Sequence, residues 1–196
     1  MLKQIINGHI LTPQGWLEGG SVIIDGNKIK AVSNIDLHIE GAEIIDAKDC
    51  YVVPGGIDMH VHGGGGRDFM EGTEEAFDVA IKAHMKHGTT SIFPTLSSST
   101  VPMIEAACET CNKLMADENS PVLGLHLEGP YFNPARAGAQ IPEWIKPPVA
   151  KEYEYLLDKY SCIKRWDEAP ELPGSVEFIT ACRKHGVLPS IAHTHA

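Results

Sequence analysis

The sequence predicts an α/β protein with a small β unit at residues 1–53 and a series of alternating strands and helices at residues 54–196. Three observations predict this class. The first part contains short β-type segments and no convincing helix. In the second part strand-like and helical segments alternate, which is typical of βα units on a parallel sheet. Two of its helical segments end with the same tripeptide, Lys-His-Gly, directly before a strand, and this recurrence indicates a repeated unit.

A hairpin pattern identifies the β unit. Two apolar segments, residues 21–24 and 27–32, flank the dipeptide Asp25-Gly26, which suits a turn with positive φ. A further apolar strand is predicted at residues 43–46. We interpret residues 1–53 as part of a β-sandwich.

The βα series begins after Pro54-Gly55-Gly56. We predict strands at residues 57–62, 89–94, 122–127, 162–166 and 187–192, and helices at residues 73–87, 101–116, 149–160 and 175–184. Four consecutive glycines, residues 63–66, follow the first of these strands. Glycine lets the backbone approach a ligand closely, but we interpret this run as a flexible connector.

The number of units predicts the architecture. At about 30 residues per βα unit, residues 54–196 hold about five strands, whereas a closed (β/α)8 barrel typically needs about 250 residues. We therefore predict a partial (β/α)8 TIM-type barrel, in a truncated chain that stops before closure. Because an open parallel sheet leaves unpaired edges that favour association, we expect the isolated segment to be marginally folded.

Composition excludes several classes of protein. Of the 196 residues 43% are hydrophobic, as in globular rather than disordered chains. The chain has 16 Lys and Arg against 26 Asp and Glu, a net charge of −10 that disfavours nucleic-acid and anionic-membrane partners. No apolar run approaches the ~20 residues of a membrane span, and no signal peptide opens the sequence. We expect a soluble, cytoplasmic protein.

The five cysteines favour a reducing compartment, since their number is odd and their spacing is not that of a disulfide framework. Cys108 and Cys111 form a CxxC pair, but a zinc ribbon needs a second pair. The two lie three residues apart in a helical segment, so they share a face, and we interpret them as packed thiols.

Polar residues lie two apart at the ends of three predicted strands, where parallel sheets and barrels build their active sites. Residues i and i+2 of a strand point to the same face, so the members of each set present their side chains together. Imidazole and carboxylate groups are ligands of zinc and iron ions. The sets are Asp58, His60 and His62; His126 and Glu128; and His193 and His195.

A metal centre is the better interpretation of these sets, although a single histidine on a strand is often only hydrogen-bonded in the core. Glu128 follows an apolar strand, where a carboxylate is costly unless it is paired or metal-bound. We assign Asp58 and His126 to orienting the ligands; a purely structural role for Asp58 is equally open. The segment 129–142 follows Glu128 and is either a substrate-contacting loop or a solvent-facing connection.

Two motifs resemble known families. Residues 54–63, Pro-Gly-Gly-Ile-Asp-Met-His-Val-His-Gly, resemble the segment that opens the barrel in the amidohydrolase superfamily. Residues 123–130, Leu-Gly-Leu-His-Leu-Glu-Gly-Pro, resemble more specifically the N-acetylglucosamine-6-phosphate deacetylase family, which residues 169–171 and 190–196 also match. The resemblance runs over the whole chain and covers about the first half of the family's usual length.

The resemblance implies a ligand set. Glu128 and His193 correspond to ligands of the family's principal metal, and His60 and His62 to a pair that holds a second metal in some members. It implies a divalent metal, Zn or Fe, as one or two ions.

The resemblance also implies substrate contacts. Ala139 and Gln140 fall where the family contacts the amino sugar, although many members have His where this chain has Gln140. Arg136 is a candidate contact for a phosphate. The family's catalytic aspartate and a further metal-binding histidine are expected beyond Ala196.

For the complete enzyme the resemblance implies deacetylation of N-acetylglucosamine 6-phosphate to glucosamine 6-phosphate and acetate, by a homodimer. One alternative is another amidohydrolase, dihydroorotase-like or D-aminoacylase-like, which would share His60 and His62 but not the motif at residues 123–130. The other is a non-catalytic fragment that binds metal or a partner without turnover.

Overall fold

The computed structural model describes residues 1–35, 37 and 39–196. They form two compact units, Met1–Gly55 and Gly56–Ala196, and each has its own sheets. No helix within the described residues is long and apolar enough to cross a lipid bilayer.

The first unit is built from short strands. They are β1 (Leu2–Ile6), β2 (His9–Thr12), β3 (Gly15–Leu17), β4 (Ser21–Asp25), β5 (Lys28–Ser33), β6 (Glu43–Asp46) and β7 (Tyr51–Val52). They pair in two sheets, in the orders β5-β4-β1-β6 and β3-β2-β7. The predicted hairpin is β4–β5, in which Asp25 lies opposite Lys28 and Gly26 has φ +61°. The described part of this unit contains no helix, as predicted.

The second unit alternates strands and helices. Its strands are β8 (Gly56–Val61), β9 (Gly63–Gly64), β10 (Arg67–Asp68), β11 (Thr89–Leu96), β12 (Leu125–Glu128), β13 (Ile163–Glu168) and β14 (Leu188–Ile191). Its helices are α1 (Glu74–Met85), α2 (Val101–Met115), α3 (Ala150–Lys159) and α4 (Ser175–Lys184). Five strands form one parallel sheet in the order β14-β13-β12-β11-β8. This curled sheet is the partial (β/α)8 barrel that the sequence predicts.

A continuous apolar layer packs the helices against this sheet. Its largest side chains have 0–1% of their surface exposed and come from helices, strands and the loop after β12; they include Phe77, Leu127, Tyr131, Trp166 and Phe178. Burying a large apolar side chain contributes about 1.5–3 kcal/mol to stability. This layer therefore fixes the positions of the strands whose ends carry the candidate site.

Four cysteines lie in the same layer. Cys108, Cys111, Cys162 and Cys182 are free and buried, whereas Cys50 is exposed. The interpretation of the CxxC pair as packed thiols is confirmed.

The glycine run is not the flexible connector that we predict from the sequence. Strands β9 and β10 form a hairpin, and Gly65 and Gly66 make its turn at φ +62° and +84°. A Cβ on Gly63 would lie 2.1 Å from the carbonyl oxygen of Arg67, so only glycine allows this pairing. Asp68 caps the 3₁₀ helix Phe69–Glu71 that follows. The run is glycine because two chain segments approach closely.

The long segment after β12 is tied to the sheet along its length. It contains two 3₁₀ helices, Pro134–Arg136 and Pro142–Trp144. The indole Nε1 of Trp166 donates to the carbonyl of Gly129 at 2.8 Å, and the amide of Lys146 donates to the carbonyl of Pro130 at 3.0 Å. These bonds bring the segment back over the carboxyl end of β12.

Candidate metal centre

The carboxyl ends of β8 and β12 bring three candidate ligands to one edge of the sheet. His60 lies in β8, His62 directly follows its last residue, and Glu128 is the last residue of β12. Strand β11 lies between the two and pairs in parallel with both. Because the strands run in the same direction, their carboxyl ends meet at the same edge, where α/β proteins bind ligands.

The donor atoms of these three residues converge. Nε2 of His60 is 3.2 Å from Nε2 of His62, which is 3.1 Å from Oε2 of Glu128. Nε2 of His60 is 3.6 Å from Oε1 of the same carboxylate. Donor atoms around a tetrahedral zinc ion at 2.0–2.1 Å stand about 3.3 Å apart. The three residues therefore have the spacing of ligands to one ion.

His193 approaches Glu128 from the other side. Its Nε2 is 3.2 Å from Oε1 of Glu128, but the residue lies outside the group formed by His60, His62 and Glu128. Its Nδ1 is 2.8 Å from the carbonyl oxygen of Arg136, which can only accept, so Nδ1 carries a proton. In the neutral ring Nε2 is then an acceptor that faces an acceptor oxygen. A cation between the two atoms, or a second ring proton, removes this conflict, and the donor set fits a metal ion.

Glu128 is charged in this environment. Its side chain is only 11% exposed. Burial raises the pKa of Glu128, but the hydrogen bond from His62 and the nearby rings of His193 and His60 outweigh it and hold the pKa at about 2. The carboxylate therefore provides the negative charge that a divalent ion requires.

The two histidines of the β8 end differ electrostatically. Burial lowers the pKa of His60, and the nearby carboxylate of Glu128 offsets only part of that effect. The hydrogen bond to Glu128 raises the pKa of His62. The Nδ1 atom of His62 is 3.2 Å from the hydroxyl of Ser97, which fixes the orientation of its ring. Both rings present Nε2 to the carboxylate.

His195 and Asp58 are further members of the predicted polar sets that lie outside this group. Strand β14 ends at Ile191, and His193 has φ +47°, so the two-residue periodicity of a strand no longer applies. The side chains of His193 and His195 therefore do not lie on the same face. The ring of His195 instead accepts from Nε of Arg136 at 3.2 Å. Asp58 accepts from the backbone amide of His60 at 3.2 Å, which supports its structural role.

His126 belongs to a second polar group, which we call the buried belt. His126 is fully buried, its Nδ1 lies 3.1 Å from the hydroxyl of Thr95, and its Nε2 lies 3.0 Å from Oδ1 of Asp167. Asp167 also accepts from Nε of Arg165, at 3.1 Å, and from the hydroxyl of Ser190. The belt thus connects β11, β12, β13 and β14 by side-chain contacts.

The belt touches the candidate centre at His60. The rings of His60 and His126 meet edge to face, with centroids 4.8 Å apart and planes at 82°. The donor atoms of His60, His126 and Asp167 also lie within 4.8 Å of one another. His126 therefore packs on a candidate ligand, as an orienting residue would, but no hydrogen bond joins the two rings.

The predicted substrate contacts lie on the segment after β12. Ala139 is exposed, whereas Gln140 is buried. Nε2 of Gln140 donates to Oε2 of Glu128 at 2.9 Å, and its Oε1 accepts from the amide of Ser98 at 2.6 Å. Arg136 is exposed, and its guanidinium donates to His195.

Sequence reasoning missed two groups of residues around the centre. Ser97 and Ser98, directly after β11, contact His62 and Gln140, and no local pattern distinguishes them from other loop serines. Glu171 accepts from the backbone amide of His195 and from the hydroxyl of Thr194, and so anchors the residues after His193. The only signal for Glu171 was its place in the matching motif at residues 169–171.

The chain is similar in sequence to known proteins. Residues 51–195 match the model of the amidohydrolase family. The chain is 29% identical over 197 residues to N-acetylglucosamine-6-phosphate deacetylase of Lysinibacillus sphaericus, covering 98% of this chain and 50% of that protein. It is 32% identical over 194 residues to the protein of the same name from Bacillus subtilis (strain 168), covering 95% and 49%. The chain spans about half the length of these curated relatives.

The fold comparison gives the same result. The crystal structure of N-acetylglucosamine-6-phosphate deacetylase from Pasteurella multocida superposes with a TM-score of 0.92 at 26% sequence identity. The superposition covers 100% of this chain and 52% of that one.

Proposed function

The chain belongs to the amidohydrolase family, and we propose that it carries the metal centre of an enzyme that converts N-acetylglucosamine 6-phosphate to glucosamine 6-phosphate and acetate. The observation that supports this most is the convergence of three imidazoles on Glu128 at the carboxyl edge of a parallel sheet. The names of the relatives support the choice of substrate.

We assign the ligands by their position around the carboxylate. Glu128 and His193 would hold the principal ion, because they lie 3.2 Å apart and the neutral His193 ring presents an acceptor nitrogen. His60 and His62 would hold a second ion with Glu128 between the two sites. Zn²⁺ and Fe²⁺ both suit imidazole and carboxylate donors.

The chemistry follows from the class of site. A bound divalent ion lowers the pKa of water and polarises a carbonyl oxygen. The residues of this chain then have three tasks: to hold the donor atoms, to keep Glu128 charged, and to hold each ring in the tautomer that presents Nε2. The carbonyl of Arg136 does the last of these for His193, and the hydroxyl of Ser97 orients the ring of His62.

We assign the proton-transfer role to neither aspartate near the centre. Asp58 accepts from the backbone of its own strand. Asp167 already accepts from Arg165 and Ser190 and contacts His126. A general base must reach the reacting water, whereas these contacts, all made by Oδ1, tie both side chains to residues of the sheet.

The test combines metal content with turnover. The chain is loaded with Zn²⁺ or Fe²⁺, and acetate release is measured from N-acetylglucosamine 6-phosphate. Ring opening of dihydroorotate and amine release from an N-acyl-D-amino acid are measured for comparison. We expect bound metal in the unsubstituted chain, its loss in Glu128→Gln, and a preference for the amino-sugar phosphate wherever turnover occurs. A chain that binds no metal, or hydrolyses only another amide, contradicts the proposal.

A chain that binds metal stoichiometrically and releases no acetate would instead favour the non-catalytic alternative. The exposed Glu177 gives a matched control, since Glu177→Gln makes the same substitution far from the ligands.

A further inference from the structure

Gln140 connects Glu128 to the residues that follow β11. Its side chain is buried, with 7% of the residue exposed. It donates from Nε2 to Oε2 of Glu128 at 2.9 Å, and it accepts at Oε1 from the amide of Ser98 at 2.6 Å. Its own backbone amide donates to the carbonyl of Ala137 at 3.0 Å, so the residue is held at both ends.

Only one orientation of the Gln140 amide satisfies both neighbours. A carboxylate only accepts hydrogen bonds, and a backbone amide only donates them. The NH₂ group must therefore face Glu128, and the oxygen must face Ser98. If the side chain turned toward a ligand, a buried carboxylate oxygen and a buried amide would each lose a partner, which is unfavourable.

We infer that Gln140 is a positioning residue for Glu128, a role that the resemblance does not imply for this position. It holds Oε2 of Glu128, which leaves Oε1 facing Nε2 of His193 at 3.2 Å. The donor is neutral, so it orients the carboxylate without cancelling the charge that an ion needs. This inference rests on the proposed function and adds a second role to the one that the resemblance implies for this position.

The two roles predict different measurements. A positioning residue affects metal affinity before any substrate is present, because outer partners of metal ligands typically contribute roughly 10–100-fold to affinity or activity. A sugar contact affects only substrate binding. Metal affinity in the absence of substrate therefore separates the two.

The experiment measures the affinity of the chain for Co²⁺ and Zn²⁺ by competition with a chelator, without substrate. Gln140→Met keeps the length of the side chain but removes both hydrogen-bonding groups. Gln140→Asn keeps the amide but is one methylene shorter, so it cannot reach both partners. Gln14→Met, in an exposed turn of the first unit, is the control.

We expect both Gln140 variants to bind the ions roughly 10–100-fold more weakly, with a changed visible spectrum of bound Co²⁺, while Gln14→Met equals the unsubstituted chain. Circular dichroism checks that each variant folds. Gln140 variants that fold and bind both ions with unchanged affinity and spectrum overturn the inference. If the unsubstituted chain itself binds neither ion, the proposed function fails, and with it the inference.

Discussion

The candidate centre and the buried belt are both built from imidazole and carboxylate groups on the same sheet, yet they differ in the charge of the groups beside the carboxylate. In the belt, the Asp167 carboxylate has the guanidinium of Arg165 beside it, 3.1 Å away. In the centre, the groups that contact Glu128 within the described residues are imidazoles and the neutral amide of Gln140. A carboxylate with a cation from the protein is suited to structure, whereas one among neutral donors is suited to binding an ion.

The largest expected effect is the loss of Zn²⁺ affinity when the carboxylate of the candidate centre is removed. We expect Glu128→Gln to weaken Zn²⁺ binding by at least about 100-fold, beyond the range typical of outer partners. At a Zn²⁺ concentration of about 1,000 times the dissociation constant, the ion stabilises the unsubstituted fold by about 4 kcal/mol. Thermal unfolding with and without Zn²⁺ measures this gain, of which the variant should lose at least about 2.7 kcal/mol. A variant that keeps it would show that Glu128 is not a ligand.

Removing the carboxylate of the belt should lower the stability of the fold more than its affinity for metal. Asp167→Asn leaves Arg165 and the buried His126 without their anion, and we expect a loss of about 2–3 kcal/mol in the free energy of unfolding. Urea unfolding measures it. Metal affinity should fall by no more than roughly 10-fold, because Asp167 acts on the candidate ligand His60 only through His126. A large loss of affinity instead would place Asp167 among the ligands, with His60 and His126.

A smaller effect is expected from the anchor of the loop that carries His193. Glu171 accepts from the backbone of His195, which with its other hydrogen bonds lowers the pKa of Glu171 to about 2, so it is charged throughout the neutral range. We expect Glu171→Ala to weaken Zn²⁺ binding by about 10-fold, because the backbone at His193 then lacks its support. Chelator competition measures the change. Unchanged affinity would show that Phe132 and Arg136 alone hold the ring.

The smallest effect concerns a carboxylate outside both clusters. Glu168 is buried next to Asp167 on the other face of β13, and one of its oxygens has no hydrogen-bond partner. Burial raises the pKa of Glu168. A raised pKa means that the unfolded chain ionises first, so stability falls as the pH rises from about 4.5 through the folded pKa.

Glu168→Gln removes that ionisation. We expect the variant to be more stable than the unsubstituted chain by on the order of 1 kcal/mol at pH 8, with the advantage disappearing near pH 4. Unfolding curves at the two pH values test this. An advantage independent of pH would show that the pKa of Glu168 is the same in the folded and the unfolded chain.

Most of the fold could be predicted because its signals are local. The four helices lie within two residues of their predicted ends, and the five parallel strands are all present, because periodicity and turn residues act over a few positions. The hairpin at residues 63–68 was missed because four glycines carry no side-chain pattern. Its cause is the close approach of Arg67 to Gly63.

The candidate site was predictable only where its residues lie on strands. The two-residue spacing correctly paired His60 with His62. It failed for His195, because the strand ends before it. The role of Gln140 depends on a contact with Ser98, 42 residues away, and no local pattern encodes such a contact.

The order of the strands shows that the candidate ligands come from strands that are far apart in the sheet. β8 and β14 are the outermost strands of the sheet, and β12 is the central one. In a flat sheet, strands four places apart are about 19 Å apart, yet Nε2 of His60 and of His193 both lie within 3.6 Å of one Glu128 oxygen. Ions held by these residues would cross-link the first and last strands through the middle one. Their loss should raise amide hydrogen exchange at both margins of the sheet together.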